Sequence, residues 1–495
     1  MSTIVNPVRV GPFPFPKTNP DDRKDNFCEV QLSYTKAQAI AEAQRCLLCG
    51  TPVCMDICPV QTDVRGMCEA VARGDFKTAY ERIRETNPLL GTTARCCPQM
   101  QTLCESACNL QWAGNPVAIG MIQRAVSDWE RNESNQPALS RYVETGKRVA
   151  VIGGGPAGLG ATELLRRYGH SVTIFEELSY LGGTARYGIP DYHLPKDVLQ
   201  YEIERIIDDG VEVKTGIRVG KHITLSELLE DYESVLIATG CKDVVGMDTT
   251  GSDLRGVYEG YEFLEAVFAN GVDSYLKSPT YHLGKEILVI GGGNSAIDAA
   301  RTALRLSKGN VTIVYRRTGR EMPADPVVIE EAREEGVRFK FLAAPISFNG
   351  SDGVLKSAKM VTMELGPPDL SGRRSPQPVV GKDFEMRCDS AILAVGRGPN
   401  SFLQIASGIK TGKSNAISVD EQFKTSILRV FAAGDVTTGE TLVVKALKSG
   451  REAAQKVHEY LMNFEDRHES LYSKYFTQRR YNRLFTDEKD GLPPN

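Results

Sequence analysis

Residues Lys147–Glu177 read KRVAVIGGGPAGLGATELLRRYGHSVTIFEE, and residues Lys285–Arg317 read KEILVIGGGNSAIDAARTALRLSKGNVTIVYRR. Each is a short apolar run, a cluster of glycines, a helix-forming stretch and a second apolar run. An apolar run too short for a helix, ending in glycines, reads as a buried strand entering a tight turn. Each segment is therefore a βαβ unit of about 30 residues. Their likeness to one another is an internal repeat, and it predicts an α/β chain with two Rossmann-like nucleotide-binding domains.

The first turn has the GxGxxG form in Gly153, Gly155 and Gly158, with Pro156 and Ala157 between. Glycines permit the tight turn and let a pyrophosphate approach the backbone beside the positive helix N-terminus. Glu176 follows the second strand, 23 residues past Gly153, where a carboxylate binds ribose hydroxyls. The second turn has the GxGxxA form: Gly291, Gly293, Asn294, Ser295 and Ala296. Its second strand ends in Arg316 and Arg317, where the first unit has Glu176 and Glu177. Arginine pairs with a 2′-phosphate and an acid repels it, so this unit is expected to take NADPH rather than NADH. The competing reading of the two arginines is a solvated surface pair. Whether Arg320 assists is evenly balanced.

Ten of the 12 cysteines precede residue 110. In a chain of 495 residues with no secretory pattern in Met1–Asp25, clustered cysteine points to metal rather than to disulfides. The first run is Cys46, Cys49, Cys54 and Cys58, the last followed by Pro59; the second is Cys97, Cys104 and Cys108. Thiolates at such spacing converge on inorganic clusters, and a Cys-Pro at the end of a run is a feature of two-cluster ferredoxins, where that cysteine serves the other cluster. Zinc sites usually pair two CxxC knuckles, and only one is present. Two 4Fe–4S clusters need eight ligands, and these runs supply seven cysteines. Cys28, Cys68, Cys96, Cys241 and Cys388 read as structural thiols, although Cys96 competes with its neighbour Cys97 for the ligand position.

Around these motifs the chain divides into a helical iron–sulfur block at 1–146, a first nucleotide unit at 147–280, a second at 281–389 and a closing part with the C-terminal tail at 390–495, which a family resemblance makes a split FAD domain (147–280 and 390–495) with an inserted NADPH domain (281–389). Helices are expected at Thr35–Arg45, at Thr62–Glu85 with a break near Gly74, and at Pro116–Trp129, with a linker at Asn132–Gly146. A net charge of −4 gives no reason to expect nucleic acid, and no apolar stretch is long enough for a membrane span. A soluble, cytoplasmic protein is the expectation.

Four stretches carry a resemblance to a known family: CLLCGTPVCMDICP from Cys46, LCESACN from Leu103, GGTARYGIPDYHLPKDV from Gly182 and GREMPADPVVIEEAREEGV from Gly319. From about Cys46 to Ala454 the chain resembles the glutamate synthase small subunit and its relatives. These include the large subunit of the NADH-dependent ferredoxin–NADP oxidoreductase and the N-terminal half of dihydropyrimidine dehydrogenase. The resemblance implies that Val235–Gly240 (VLIATG, with Ala238, Thr239 and Gly240), Val430–Val436 (VFAAGDV, with Gly434 and Asp435) and Gly183 complete an FAD site begun by the first glycine turn. It also implies that the nicotinamide unit is an insertion in the FAD unit.

By the same resemblance, Cys46, Cys49, Cys54 and Cys108 would hold one cluster. Cys58, Cys97, Cys104 and a helical Gln123 would hold the other. Two departures stand out. The interval from Cys97 to Cys104 is one residue longer than in relatives, and His193 stands where relatives carry a cation expected near the flavin. The implied chemistry is hydride transfer from NADPH to FAD and single-electron transfer into the clusters, so cofactors rather than acid–base side chains do the hard step. The implied partner is a large glutamate-synthase-type subunit or a ferredoxin-like acceptor, as a hetero- or a homo-oligomer. The tail after Ser470, rich in Tyr and Arg, reads equally as an interaction segment or a packed helix.

Overall fold

The computed structural model describes residues 13–133, 143–245, 249–369 and 372–462. The tail after Ser470 and most of the expected linker lie outside these residues.

Helices build the N-terminal block. Lys36–Ala43 starts at Thr35, whose hydroxyl accepts from the Gln38 amide while the Gln38 side chain accepts from the Thr35 amide. The long helical stretch is two helices, Val64–Ala72 and Phe76–Arg84, parted at Gly74 and restarted by the Asp75 cap. Leu90–Cys96, which the sequence reading did not anticipate, packs against Ile119–Glu133. The apolar faces of these helices form one core around Met67, Ile83, Ile122 and Val126.

Two five-stranded parallel sheets follow. The first runs in the order Val430–Ala432, Ser234–Ile237, Arg148–Ile152, Ser171–Phe175, Glu212–Lys214. The second runs Val257–Glu259, Ser390–Leu393, Glu286–Ile290, Asn310–Tyr315, Arg338–Phe341. Laid side by side they share the arrangement of four strands; the outer strand comes last in the chain in the first sheet and first in the second. Strands covered on both faces read as continuous apolar runs, and the four residues Val149–Ile152 are all buried. The repeat is longer than the glycine turns alone revealed. Ser390–Gly396, SAILAVG, is the counterpart of Ser234–Gly240, SVLIATG.

The backbone contacts match as well. A Cβ at Gly153 would lie 2.4 Å from the Ala238 carbonyl oxygen, and one at Gly291 would lie 2.2 Å from that of Ala394. Both glycines have positive φ, so neither position admits a side chain. The second sheet also corrects the expected span of 281–389. Its outer strand, Val257–Glu259, and its neighbour, Ser390–Leu393, lie on either side of that span and pair with one another. A three-stranded antiparallel sheet, Ala343–Ser351, Val354–Pro368 and Arg374–Arg387, joins the second unit.

The helical block and the first nucleotide unit share a core: Val60, Leu89 and Leu103 pack with Val149, Leu164 and Leu199. Polar contacts cross the same boundary. The buried Glu202 carboxylate accepts from the Thr92 amide at 3.1 Å, from the Thr92 hydroxyl at 2.7 Å and from the Gly91 amide, at the start of Leu90–Cys96. Arg84 pairs with Glu163 at 3.1 Å, and Arg451 holds the same carboxylate. Among the described residues no helix is long and apolar enough to cross a membrane.

The last described helix, Val443–Leu461, is fastened to the first sheet by two histidines. His170 Nε2 and His458 Nδ1 are 2.9 Å apart, and the Tyr168 ring stacks on His458 at 4.1 Å. Burial, with repulsion from His458 and Arg166, pushes His170 down to about 4, and burial pushes His458 down to about 4. Between that value and the ordinary 6.5, the unfolded chain binds protons that the folded chain does not, so stability falls as pH drops through this window. Thermal unfolding measured from pH 7 to pH 5 should show this loss. His170→Asn should flatten the dependence by roughly 2–4 °C, and an unchanged slope would remove the pair from the account.

Candidate functional site

The first glycine turn opens the helix Pro156–Arg167, whose N-cap, Gly155, provides no side-chain hydrogen bond. The first amides of a helix have no partner within it, so donors are left facing the cleft in front of the turn. Gly153, Gly155, Pro156, Ala157, Glu176, Gly183, Ala238, Thr239, Gly240 and Asp435 all line this one cleft. These residues come from five separate stretches of chain, and the fold brings them to one cleft. The cradle fits a dinucleotide.

Glu176 is buried, and its carboxylate accepts from the Gly154 amide at 2.8 Å and the Leu178 amide at 2.9 Å. Burial raises its pKa, against these two amides. Asp435 accepts from the Thr441 hydroxyl at 2.6 Å, and burial raises its pKa as well. Two of the predicted residues shape the cleft from behind. A Cβ on Gly158 would lie 1.9 Å from the Gly153 carbonyl oxygen, so only glycine lets the helix seat against the turn. Gly434 sits against Ala157, where a Cβ would approach to 2.7 Å, and its amide donates to Ser449 at 2.9 Å. Tyr261, Lys242 and Arg397 also line the cleft, and Arg397 lies 4.1 Å from the Tyr261 ring centre. Sequence reading missed all three. Arg397 was within reach of it, since it follows SAILAVG as Cys241 follows SVLIATG.

The second turn repeats the first. Gly293 caps Asn294–Ser307 without a side-chain bond, and a Cβ there would meet nothing within 4 Å. Asn294 and Ser295 are exposed, while Ala296 is buried against Gly291. The two arginines part company. Arg316 is exposed, as is Arg320. Arg317 is buried and committed, donating to the Asp369 carboxylate at 2.6 Å and the Arg374 carbonyl at 2.7 Å. The expectation that Arg317 meets a phosphate is therefore corrected, because its guanidinium already has a carboxylate.

The cysteines form two groups. Cys46, Cys49, Cys54 and Cys108 line one pocket. Burial and the thiols of Cys46, Cys108 and Cys49 push Cys54 up to about 12. The Asn109 side-chain amide donates to Cys49 Sγ at 3.2 Å. A fifth thiol, Cys68, lines the same pocket and is wholly buried. The second group is Cys58, Cys97 and Cys104. Burial puts Cys97 and Cys104 well above the ordinary range, with Cys58 adding to both. Cys96 has Lys196, Arg95, Asp298 and Glu202 around it, and it lines one cavity together with Cys97. The helix ends at Cys96 and the backbone turns extended at Cys97.

Among the described residues no three Cys, His, Asp or Glu side chains converge as tightly as a single ion requires. The first group lines one pocket, which suits a cluster's donor set. Gln123 is buried on Ile119–Glu133 and donates to Thr93 Oγ1 at 3.3 Å, one turn before Cys97. Glu105, beside Cys104, was also missed. It accepts from the Gly120 amide at 2.9 Å, and burial pushes it up to about 7. His193, expected near the flavin, stands between the Arg95 carbonyl at 3.0 Å and Asp298 at 3.9 Å. Burial opposes its charge, yet Asp298 prevails and raises its pKa.

Cys58 and Cys97 pack against the core of the first nucleotide unit, whereas Cys46, Cys54 and Cys108 pack against the core of the helical block, to which Cys104 also belongs. Thr441 lines both the dinucleotide cleft and a cavity bounded by Cys58.

The glycine cradle generates a direct expectation. Gly158→Val adds bulk where even a Cβ would collide. Overpacking costs about 1–3 kcal/mol, so flavin affinity should fall by roughly one to two orders of magnitude. The flavin-to-protein ratio after gel filtration measures it, and full flavin retention would contradict the assignment of the cleft.

Comparison with known proteins agrees with this geometry. The family described as pyridine nucleotide-disulphide oxidoreductase matches residues 147–450, and the dihydropyrimidine dehydrogenase domain II, 4Fe-4S cluster family matches residues 23–135. The glutamate synthase (NADPH) small chain of Escherichia coli (strain K12) is 35% identical over 449 residues, covering 89% of this chain and 95% of the relative. The NADP(+)-dependent formate dehydrogenase subunit beta of Moorella thermoacetica is 36% identical over 436 residues, covering 83% of this chain and 60% of the relative. FprA from Mycobacterium tuberculosis shares the fold of the nucleotide-binding units, with a TM-score of 0.56 at 18% identity over 69% of this chain and 91% of that one. With both modules matched and a relative aligned over nearly its whole length, the chain belongs to the glutamate synthase small-subunit family, an oxidoreductase that joins an N-terminal 4Fe–4S module to a pyridine nucleotide module.

Proposed function

We propose that this chain oxidises NADPH and delivers the electrons, one at a time, to a protein acceptor, as the electron-input component of a larger enzyme. The observation that carries the reading is the set of sites in one chain: a dinucleotide cleft and two thiol groups, one of which packs through Cys58 and Cys97 on the core of the cleft's own unit. Bound FAD supplies the conversion from two-electron hydride chemistry to single-electron transfer. The residues of the chain do the rest. Glu176 orients the ribose end, and the free amides of the helix Pro156–Arg167 hold the pyrophosphate. Asp435 fixes the other side of the cleft. Asn294–Ser307 holds the second nucleotide in the same way, and Arg316, with Arg320 beside it, reads the 2′-phosphate.

Cys58, Cys97, Cys104 and Gln123 hold an inner 4Fe–4S cluster, and Cys46, Cys49, Cys54 and Cys108 an outer one. The outer pocket reaches the surface among exposed apolar side chains, with Leu47 at 59% and Val53 at 44% exposure. That rim suits an acceptor protein. A large subunit of the glutamate synthase type is the acceptor favoured by the relative aligned over 95% of its length. The alternative is a self-standing enzyme that reduces ferredoxin or a similar carrier.

Anaerobic purification followed by titration tests the reading. One FAD and about eight irons per chain, reduced by NADPH but poorly by NADH, are expected. Zinc in place of iron, or no flavin, would refute it, and a co-purifying large chain would select the input-subunit form. Specificity has its own test. Arg316→Glu should lower kcat/KM for NADPH by about 10- to 100-fold, the worth of a charge-assisted bond to phosphate, with little change for NADH. An unaltered preference would show that Arg316 does not read the phosphate.

A further inference from the structure

Residues 16–32 form a closed loop that touches all three units. Its ends pair with one another: the Thr18 amide donates to the Val30 carbonyl at 3.0 Å, and the Leu32 amide to the Pro16 carbonyl at 2.8 Å. One face of the loop grips the second nucleotide unit. Arg23 is 2% exposed and lies 2.7 Å from Glu334 and 3.7 Å from Glu335, at the end of the helix Pro326–Glu334. On the neighbouring helix, Asn294–Ser307, Arg305 donates to the Asn26 carbonyl at 2.9 Å. Phe27 packs on the core of this unit, edge-on to Phe268 at 6.0 Å.

The other face grips the helical block. Glu29 pairs with Arg95 at 2.6 Å and with Arg124. Arg95 lies on Leu90–Cys96, the helix that stops just before Cys97. The Val30 amide donates to the Tyr192 carbonyl at 2.9 Å, in a loop of the first unit. The Tyr192 hydroxyl donates in turn to the Asp298 carbonyl on Asn294–Ser307, at 2.9 Å.

The second unit needs such a hold. The chain enters it after Cys241–Val244 and leaves it before Arg397–Pro399, and among the described residues these short strands pair with each other alone. A two-stranded ribbon is marginal by itself, and a pair of short crossings is the anatomy of a hinge. Rotation about it would leave both glycine turns intact and yet carry one nucleotide away from the other.

We propose that the loop 16–32 is a latch that sets the second nucleotide unit against the first, with Arg23 as its positioning residue. This rests on the NADPH reading above and deepens it, since a latched unit presents the nicotinamide to the flavin at transfer distance. Arg23 acts through the helix Pro326–Glu334, which packs on Asn294–Ser307. The charge cluster tolerates its removal. Glu335 keeps Arg301 at 2.6 Å and Arg305 at 2.7 Å, and Glu334 is partly exposed, so neither carboxylate is left buried and alone.

The test is stopped-flow reduction of the anaerobic holoenzyme by NADPH, followed at the flavin absorbance band. In Arg23→Ala, flavin and iron contents should stay full, and the NADPH concentration for half-maximal rate should stay as in the wild type. The limiting rate of flavin reduction should fall about 10- to 100-fold, as expected when reacting groups are held slightly out of place. Reduction by dithionite, which does not use the second unit, should keep its wild-type rate. Arg23→Lys keeps the charge and should recover most of the NADPH rate. Glu29→Gln loosens the other face and should slow the same step. The double variant of Arg23→Ala and Glu29→Gln should be no slower than the slower single one, because a single latch is being opened twice. The proposal is overturned if Arg23→Ala reaches the wild-type limiting rate, even with a lowered thermal midpoint, which would make the loop a structural clasp. It is also overturned if lysine recovers nothing, or if the alanine variant loses its flavin. A wild-type protein that NADPH does not reduce would instead refute the function on which the proposal rests.

Discussion

The carboxylate of Glu202 reaches out of the first nucleotide unit into the N-terminus of Leu90–Cys96. The rest of the site depends on that contact. A helix start carries amides with no internal partner and a partial positive charge, and a buried acid satisfies both. This short helix ends at Cys97, so the cap that fixes its start also fixes where the thiol stands. Glu163, held by Arg84 from one side and Arg451 from the other, repeats the arrangement at a second point on the same boundary. Such buried pairs add little net stability, but removing one partner leaves an uncompensated charge. They therefore act as registers, keeping the helical block in one position over a shared apolar core that includes Val60 and Leu103. A relay between redox groups needs fixed spacing, and these contacts provide it.

The two nucleotide units are one design used twice, and their differences lie where the repeat ends. Four strands of each sheet run in the same order, the fifth coming last in the chain in one and first in the other, and both first glycines press against the carbonyl that follows the strand next door. After the second strand the copies diverge: a buried Glu176 in one, an exposed Arg316 in the other. The extra antiparallel sheet belongs to the second copy alone. It supplies the Arg374 carbonyl that anchors Arg317, and Asp369 just after its middle strand supplies the carboxylate.

Local motifs were legible in the sequence because their physics is local. A glycine turn between a strand and a helix, or thiols a few residues apart, can be recognised without knowing what lies opposite. What escaped was decided at long range. Arg317 looked free until Asp369, 52 residues away, took it. Cys68 showed only that it was apolar and on a helix face; nothing nearby in sequence said that it lines one pocket with Cys46. The strand Ser390–Leu393 was missed for another reason, since the search for repeats stopped at the glycine turns and did not extend to the SVLIATG pattern.

The placement of the two thiol groups also bears on how the protein fails. Cys97 is half-buried against the core that the helical block shares with the nucleotide unit. The outer pocket opens to solvent between Leu47 and Val53. A solvent-borne oxidant therefore has a direct path to the outer thiols, while Cys104 of the other group is buried.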